Sequence, residues 1–166
     1  MRRMITLRPA TIDDAKLLLE WRNDPKTRAG SHSTAEVDLQ SHVAWLAKTI
    51  QNPARRLFVA MRDGQPVGTV RVDFDGTYHE FSWTVAPALR GQGIAKEMAL
   101  LLAEQINGPI RAEVKPENFA SMRVAEVAGM ALTGEIDGVL HFRRSAVGAA
   151  VVVTSTTDTK IRAVVP

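Results

Sequence analysis

The chain has 166 residues, of which 45% are hydrophobic and 23% are charged, as is typical of one globular domain with a real core. The absence of cysteine excludes a disulfide framework, a thiolate nucleophile and a cysteine zinc site, and it fits a reducing cytoplasm. The net charge is +3, and the lysines and arginines are scattered among acidic residues rather than clustered, which argues against nucleic acid as a partner. A mildly basic surface of this kind suits a phosphorylated ligand.

The first part of the sequence predicts a strand followed by two helices. The strand covers 4–10, and the first helix begins where Thr11 can cap it and ends before Pro25. A loop at 29–33 leads into a second helix at 34–50. Apolar residues recur along both helices at helical spacing, so each is expected to bury one face.

The remainder predicts a mixed sheet with two further helices. Asp63-Gly64 is a strong hairpin signal between two strands, and Asp137-Gly138 marks another near the end. We expect strands at 55–63, 65–74, 79–87, 109–115, 130–136 and 139–144, with helices ending at Ile106 and Gly129. The order β-α-α-β-β-β-α-β-α-β-β predicts an α/β (α+β) fold with a mostly antiparallel sheet and helices on both faces.

Residues 1–144 are expected to form this domain, and 145–166 form a tail rich in Val, Ala and Thr. Three interpretations of the tail stay open: an extra hairpin turning at Thr157-Asp158, a strand exchanged within a homodimer, or a floppy end. The N-terminal segment lacks the apolar region of a signal peptide, and no apolar run reaches the roughly 20 residues of a membrane span. We therefore expect a cytoplasmic protein without membrane contact.

The stretch from Arg90 to Lys96 places two glycines between a strand and a long helix. A turn of this kind leaves backbone N–H groups free at a helix start, where they attract an anion. A P-loop would need a second glycine before its lysine, and a dinucleotide fingerprint would need glycine or alanine where Lys96 stands. Both of these phosphate-binding motifs are therefore excluded by spacing.

The remaining pattern, [Q/R]-x-x-G-x-[G/A] between "TVAP" and a long helix, resembles that of the GNAT superfamily of acyl-CoA-dependent N-acetyltransferases. The later segment "VKPENFASMRVAEVAGM" is similar to the family's strand–helix unit, and the resemblance runs from Leu7 to Arg144. It implies that acetyl-CoA is the co-substrate and that no metal is needed. His32, His42 and His141 likewise show no metal-ligand spacing.

The resemblance also assigns residues to the cofactor. The turn and helix start would hold the pyrophosphate through Arg90, Gly91, Gln92, Gly93, Ile94, Ala95 and Lys96. The backbones of Trp83, Thr84 and Val85 would meet the pantetheine arm, and the N–H of Val85 would act as oxyanion donor. Asn118 would contact the cofactor, although a residue at a helix start also bonds its own backbone.

The catalytic groups are less completely specified. The family's tyrosine, seven residues after the asparagine, is replaced here by Ala125. Ser121, a water, or a thiolate that leaves unprotonated would have to take its place, because Tyr78 lies in a turn before the strand. Glu80 is the best general base, or else a surface strand residue, and alternation points His79 to the opposite face.

The acceptor is expected beneath the first two helices and their loop. The elements W-R-N-D-P, H-x-x-W and "PVGTVRVD" together resemble the nucleotide-sugar amine acetyltransferases of pseudaminic acid biosynthesis. That branch implies a small-molecule amine acceptor, with phosphate or sugar oxygens and a ring bound by the following residues: Arg22, Arg28, Ser31, His42 and Trp45. The alternative is that Trp21 and Trp45 belong to the core and Arg22 caps a helix end.

Two other functions stay open. Ribosomal-protein N-terminal acetyltransferases share a similar W-x-N-x-P opening, so the acceptor is alternatively a protein N-terminus. The missing tyrosine motivates a third hypothesis, a non-catalytic acyl-CoA-binding module. Glu80 and the oxyanion strand argue against it, because a protein that only binds needs neither.

Overall fold

The computed structural model describes residues 4–148, 151–153 and 162–164. Its strands are β1 (Thr6–Pro9), β2 (Arg55–Arg62), β3 (Gln65–Phe74), β4 (His79–Val85), β5 (Ile110–Val114), β6 (Ala131–Ile136), β7 (Val139–Arg144), β8 (Val151–Val153) and β9 (Arg162–Val164). Its α-helices are α1 (Ala15–Asn23), α2 (Pro25–Gly30), α3 (Leu39–Gln51), α4 (Ile94–Glu104) and α5 (Phe119–Val127). Among these helices, none is long and apolar enough to cross a membrane.

Seven strands form one sheet in the order β1-β2-β3-β4-β5-β7-β6. Every neighbouring pair is antiparallel except β4 and β5, which run parallel. Both predicted hairpins are present, with left-handed backbone at Asp63-Gly64 and at Asp137-Gly138, as their short turns require. The predicted fold class, a mixed and mostly antiparallel sheet with helices, is confirmed.

The helical segment after β1 differs from the prediction. A separate helix, α2, begins at Pro25, where we expected only the end of α1. Asp24 caps it by accepting a hydrogen bond from the N–H of Thr27, and proline at the first helical position needs no donor partner. The predicted helix at 34–50 begins only at Leu39, because Asp38 caps α3 through the N–H of Ser41.

The entry to α1 is stabilised by a carboxylate with three donors. Arg8 on β1 donates to both oxygens of Asp14, at 2.8 and 2.9 Å, and the N–H of Thr11 donates to the same carboxylate at 2.8 Å. Asp14 is only 8% exposed. The guanidinium of Arg8, followed by the N–H of Thr11, outweighs the effect of burial and lowers the pKa of Asp14.

The two faces of the sheet carry different cores. On one face, α4 and α5 cover a large apolar cluster that includes Phe81, Met98 and Ala125. On the other face, α1 and α3 cover a smaller cluster around Trp21 and Leu46. The second cluster packs on the β2 side of the sheet, which leaves the part of that face over β4 and β5 to polar side chains.

The tail contains β8 and β9, which pair with each other as a separate antiparallel two-stranded sheet. This pairing is the pattern expected of an extra hairpin. The turn predicted at Thr157-Asp158 lies outside the described residues, and the division of the chain at residue 144 stays a prediction.

Candidate active site

The site begins where two neighbouring strands separate. β4 and β5 pair at His79 with Ile110 and at Glu80 with Arg111, and the described residues of the two strands form no further pair with each other. Beyond this point β4 keeps only its antiparallel partner β3, as far as Val85, and β5 keeps only β7, with which it pairs along its whole length. The two strands therefore form a wedge that opens toward the end of β4.

A cleft of about 520 Å³ occupies the mouth of this wedge. The end of β4 contributes Trp83, Thr84 and Val85, all of which were predicted to meet a cofactor. The glycine turn and the start of α4 form a second wall, the start of α5 forms a third, and α2 closes the cleft with Lys26, Thr27 and Gly30. One concave space thus collects four separate elements of the chain.

The glycine turn has the geometry of an anion site. Gly91 and Gly93 adopt φ angles of +79° and +77°, and Gly93 caps α4 without a side-chain hydrogen bond. A Cβ added to either glycine would meet no atom within 4 Å, so the space beside the turn is open. Backbone N–H groups at the start of α4 have no acceptor within the helix, and the helix dipole there favours negative charge. These features fit the diphosphate of a nucleotide cofactor.

Arg90 makes two side-chain contacts that its sequence position did not suggest. Its guanidinium donates to the carboxylate of Asp24 and, at 2.9 Å, to Oγ1 of Thr27. The Arg90 hydrogen bond, supported by the N–H of Thr27, lowers the pKa of Asp24. Arg90 lines the cleft, but it also ties the glycine turn to the cap of α2. Oε1 of Gln92 accepts a hydrogen bond from Nη2 of Arg62 at 3.0 Å, and Gln92 does not line the cleft.

Asn118 and Ser121 connect the start of α5 to β4. Ser121 donates its N–H to Oδ1 of Asn118 at 3.1 Å, so Asn118 caps α5, as the alternative interpretation of this residue required. Nε1 of Trp83 donates to Oγ of Ser121 at 3.2 Å. Asn118 and Ser121 also line the cleft, so the capping role of Asn118 is compatible with contact to a ligand.

The position of the missing tyrosine is part of the core, because Ala125 is fully buried. Tyr78 does not reach the cleft, and the guanidinium groups of Arg111 and Arg143 lie 5.6 and 4.9 Å from its ring centre. Glu80 lies on the face opposite Phe81, with its Oε1 3.5 Å from Nε of Arg111. It precedes Val85 by five residues, which is about 16 Å along a strand.

The five predicted acceptor residues are not all brought together. Ser31 lines the cleft, while His42 and Trp45 lie on α3 with their rings stacked at 5.6 Å. The ring of Trp45 also lies 5.6 Å from the guanidinium of Arg71. His42 is only 4% exposed, and burial, reinforced by the charge of Arg22, lowers its pKa.

The two predicted acceptor arginines are partly engaged. Arg22 donates through Nη2 to the carbonyl of Ser33 at 2.8 Å. Within the described part of the chain, Nη1 of Arg22 and Nε of Arg28 are buried without a hydrogen-bond partner. Buried donors of this kind are rare unless a water or a ligand satisfies them.

Several residues of the cleft were missed from the sequence, among them Lys26, Thr27 and Arg123. Asp24-Pro25 is a helix-start signal, and reading it as one would have placed Lys26 and Thr27 on α2. Arg123 follows from the α5 register once Asn118 is taken as the cap. No group of three metal-binding side chains is present among residues 4–148 and the short described segments beyond them.

The comparisons with known proteins agree with this architecture. A family model described as an acetyltransferase (GNAT) domain matches residues 4–131. No curated protein matches the chain. A domain from Methanocaldococcus jannaschii DSM 2661 superimposes with a TM-score of 0.77 at 18% identity, covering 86% of this chain and 99% of that one.

Two functionally named structures are similar to the same extent. Spermidine N-acetyltransferase from Vibrio cholerae, in complex with CoA and spermine, has a TM-score of 0.75 at 19% identity, covering 85% and 95% of the two chains. RimL, a ribosomal L7/L12 alpha-N-protein acetyltransferase in complex with coenzyme A, has a TM-score of 0.73 at 14% identity, covering 86% and 94%. At these identities the likeness shows a shared fold.

Proposed function

The chain belongs to the GNAT acetyltransferase family, and from that premise we propose that it transfers an acetyl group from acetyl-CoA to a primary amine. The observation that carries the proposal is the wedge between β4 and β5, whose mouth is shared by the glycine turn and the end of β4. A diphosphate site and a separated strand edge on one cleft are what a long, phosphorylated thioester requires.

Acetyl-CoA, when bound, supplies the acetyl group as an activated thioester. On the protein side, the N–H groups from Gly91 to Ala95 would hold the diphosphate, and Lys96 would add positive charge. Trp83, Thr84 and Val85 would meet the remainder of the cofactor at the separated edge of β4, and Asn118 and Ser121 would meet it at α5. The N–H of Val85 is the proposed donor to the reacting carbonyl oxygen.

Proton transfers need two groups of the chain. Glu80 is the proposed general base, and because Val85 lies about 16 Å further along the strand, Glu80 would act through a chain of several ordered waters. Ser121 is the proposed donor to the leaving thiolate. Its Oγ already accepts from Trp83, and no acceptor for its own proton is present among the described residues.

For the acceptor, an amino-sugar nucleotide is the lead candidate. The support is that Nη1 of Arg22 and Nε of Arg28 are both buried donors without a partner among the described residues, and phosphate oxygens are the acceptors that arginine prefers. A protein N-terminus is the runner-up acceptor, and a non-catalytic acyl-CoA-binding role is the alternative to catalysis. A homodimer and a cytoplasmic location are also proposed.

A screen of amine acceptors with acetyl-CoA, read as released thiol, tests the proposal. A nucleotide amino sugar and a short peptide with a free N-terminus are compared at matched concentrations. Acetylation of the sugar alone supports the lead acceptor, and acetylation of the peptide alone replaces it with the runner-up. Acetylation of no amine, with CoA still bound in calorimetry, overturns the enzyme proposal in favour of a binding module.

A further inference from the structure

The sheet face opposite α4 and α5 carries a band of charge at the wedge. Ile110, Ala112 and Val114 are buried in the α4–α5 core. Because strand residues alternate between faces, Arg111 and Glu113 point to the opposite side. Asp73 on β3 and Glu80 on β4 lie on that same side, since their neighbours Val72 and Phe81 belong to the same core.

The three carboxylates of β3, β4 and β5 have unequal partners. Asp73 lies 3.0 Å from Nη2 of Arg71, and Glu80 lies 3.5 Å from Nε of Arg111. Glu113 is different: within the described residues its ion-pair contacts are with two histidines. Nε2 of His32 is 3.1 Å from Oε2, and Nδ1 of His141 is 3.9 Å from Oε1. Glu113 is therefore the one of these three without an arginine or lysine partner.

Glu113 also has the position of an acceptor contact. It stands two residues beyond Arg111, the last residue of β5 that pairs with β4, and so lies where the strands have separated. On β4 the corresponding level is that of Ser82, about 10 Å from Val85 along the strand and closer than Glu80. The side chain of Glu113 is 28% exposed, so solutes reach it.

The loop that follows α2 covers this carboxylate. His32 belongs to that loop, and its side chain is 71% exposed, so its contact with Glu113 is a surface contact that costs little to break. Nearby, Nζ of Lys115 donates to the carbonyl of Ala29 at 2.8 Å, which fastens the end of α2 beside β5. Glu113 thus lies under the segment expected to receive the acceptor, with a replaceable partner.

We infer that Glu113 is a specificity-determining residue that binds the ammonium group of the acceptor, with His32 as the partner that the ammonium replaces. This inference rests on the proposed acetyltransferase function and selects amines that arrive protonated. An ammonium group between the Glu113 carboxylate and the ring of His141 makes a charge-assisted hydrogen bond to the carboxylate, whereas a neutral amine gains little there.

The test combines binding and kinetics. Spermidine is the probe, because ammonium groups are its only polar feature, and it is titrated into CoA-loaded protein while the Cε1–H resonances of His32 and His141 are followed by NMR. We expect both resonances to shift in the unaltered protein and in a Glu104→Gln control, and to stay in place in Glu113→Gln. Unshifted resonances in the unaltered protein overturn the inference, whether or not any amine is acetylated.

Once an amine that the protein acetylates has been identified, Glu113→Gln should raise the KM for that amine about tenfold and leave CoA affinity unchanged. His32→Gln should lower that KM or leave it alone. If His32→Gln instead raises the KM as much as Glu113→Gln does, Glu113 only fastens the loop and the inference fails. Glu113-dependent shifts without acetylation would leave the ammonium site standing and overturn the acetyltransferase function alone.

Discussion

Trp83 and Ser121 join two walls of the cleft, because Nε1 of Trp83 on β4 donates to Oγ of Ser121 on α5 at 3.2 Å. The hydroxyl accepts from a fixed direction and so keeps its own proton available for donation. The contact with Trp83 therefore does not use the proton that Ser121 would donate as the proposed acid in place of the absent tyrosine.

Ser121→Ala should slow thiol release about 10²-fold or more if the hydroxyl donates a proton, since general acids typically contribute about 10²–10⁴-fold. Trp83→Phe removes the same hydrogen bond and keeps the hydroxyl, so it serves as the matched control and should lose much less. Steady-state rates near pH 7 make the comparison. Equal losses in the two variants would mean that Ser121 only anchors Trp83.

Gly93→Ala should weaken CoA binding, because a residue with a Cβ resists the left-handed backbone that aims the N–H groups of the turn. Gly64→Ala is the control: Gly64 has φ of +75° in the β2–β3 turn, and an added Cβ there also meets nothing within 4 Å. Both variants should lose about 1–2 kcal/mol of stability, yet only Gly93→Ala should change the calorimetric affinity. Equal CoA affinity in both would remove the anion site from the turn.

Asp14→Asn should make the free energy of unfolding less dependent on pH in the acidic range. The folded pKa of Asp14 lies below its unfolded value, which is about 3.9. Its stabilisation is therefore present above that pH and disappears as pH falls through the folded pKa. At pH 7 the variant should lose about 1–3 kcal/mol, as measured by urea unfolding from pH 3 to 7, whereas Asp13→Asn, at an exposed neighbour, should behave like the unaltered protein.

Glu80→Gln should lower turnover by about 10²–10⁴-fold if Glu80 is the general base. CoA affinity should be retained, because the glycine turn lies on other elements. Tyr78→Phe should be close to neutral, since Tyr78 does not line the cleft. Initial rates between about pH 6 and 9 provide the test, and nearly full activity of Glu80→Gln over that range would contradict the assignment.

Arg28→Lys should raise the acceptor KM without changing the KM for acetyl-CoA. The buried Nε of Arg28 is positioned to donate, and lysine cannot reproduce the planar fork that binds phosphate with two hydrogen bonds. Lys16→Gln, on the exposed side of α1, controls for a general loss of positive charge. An unchanged acceptor KM with a nucleotide amino sugar would argue against phosphate recognition at this helix.

The local parts of this structure follow from the sequence more directly than the long-range parts do. The glycine turn and the Asp63-Gly64 hairpin each depend on neighbouring residues, so the sequence predicted both. Asp24-Pro25 was interpreted as the end of a helix, although the pair also begins one. The local pattern alone does not distinguish a helix end from a helix start. The partners of Glu113 depend on the pairing of β5 with β7 and on a distant loop, and no spacing rule encodes them.

The double contact of Arg90 has a mechanical consequence. The guanidinium of Arg90 donates to Asp24 and Thr27 at the start of α2, and the backbone of Arg90 begins the glycine turn. A displacement of α2 must therefore either break these hydrogen bonds or move the turn as well. We therefore expect α2, which borders the acceptor side of the cleft, and the glycine turn, which is the proposed diphosphate site, to move together through Arg90.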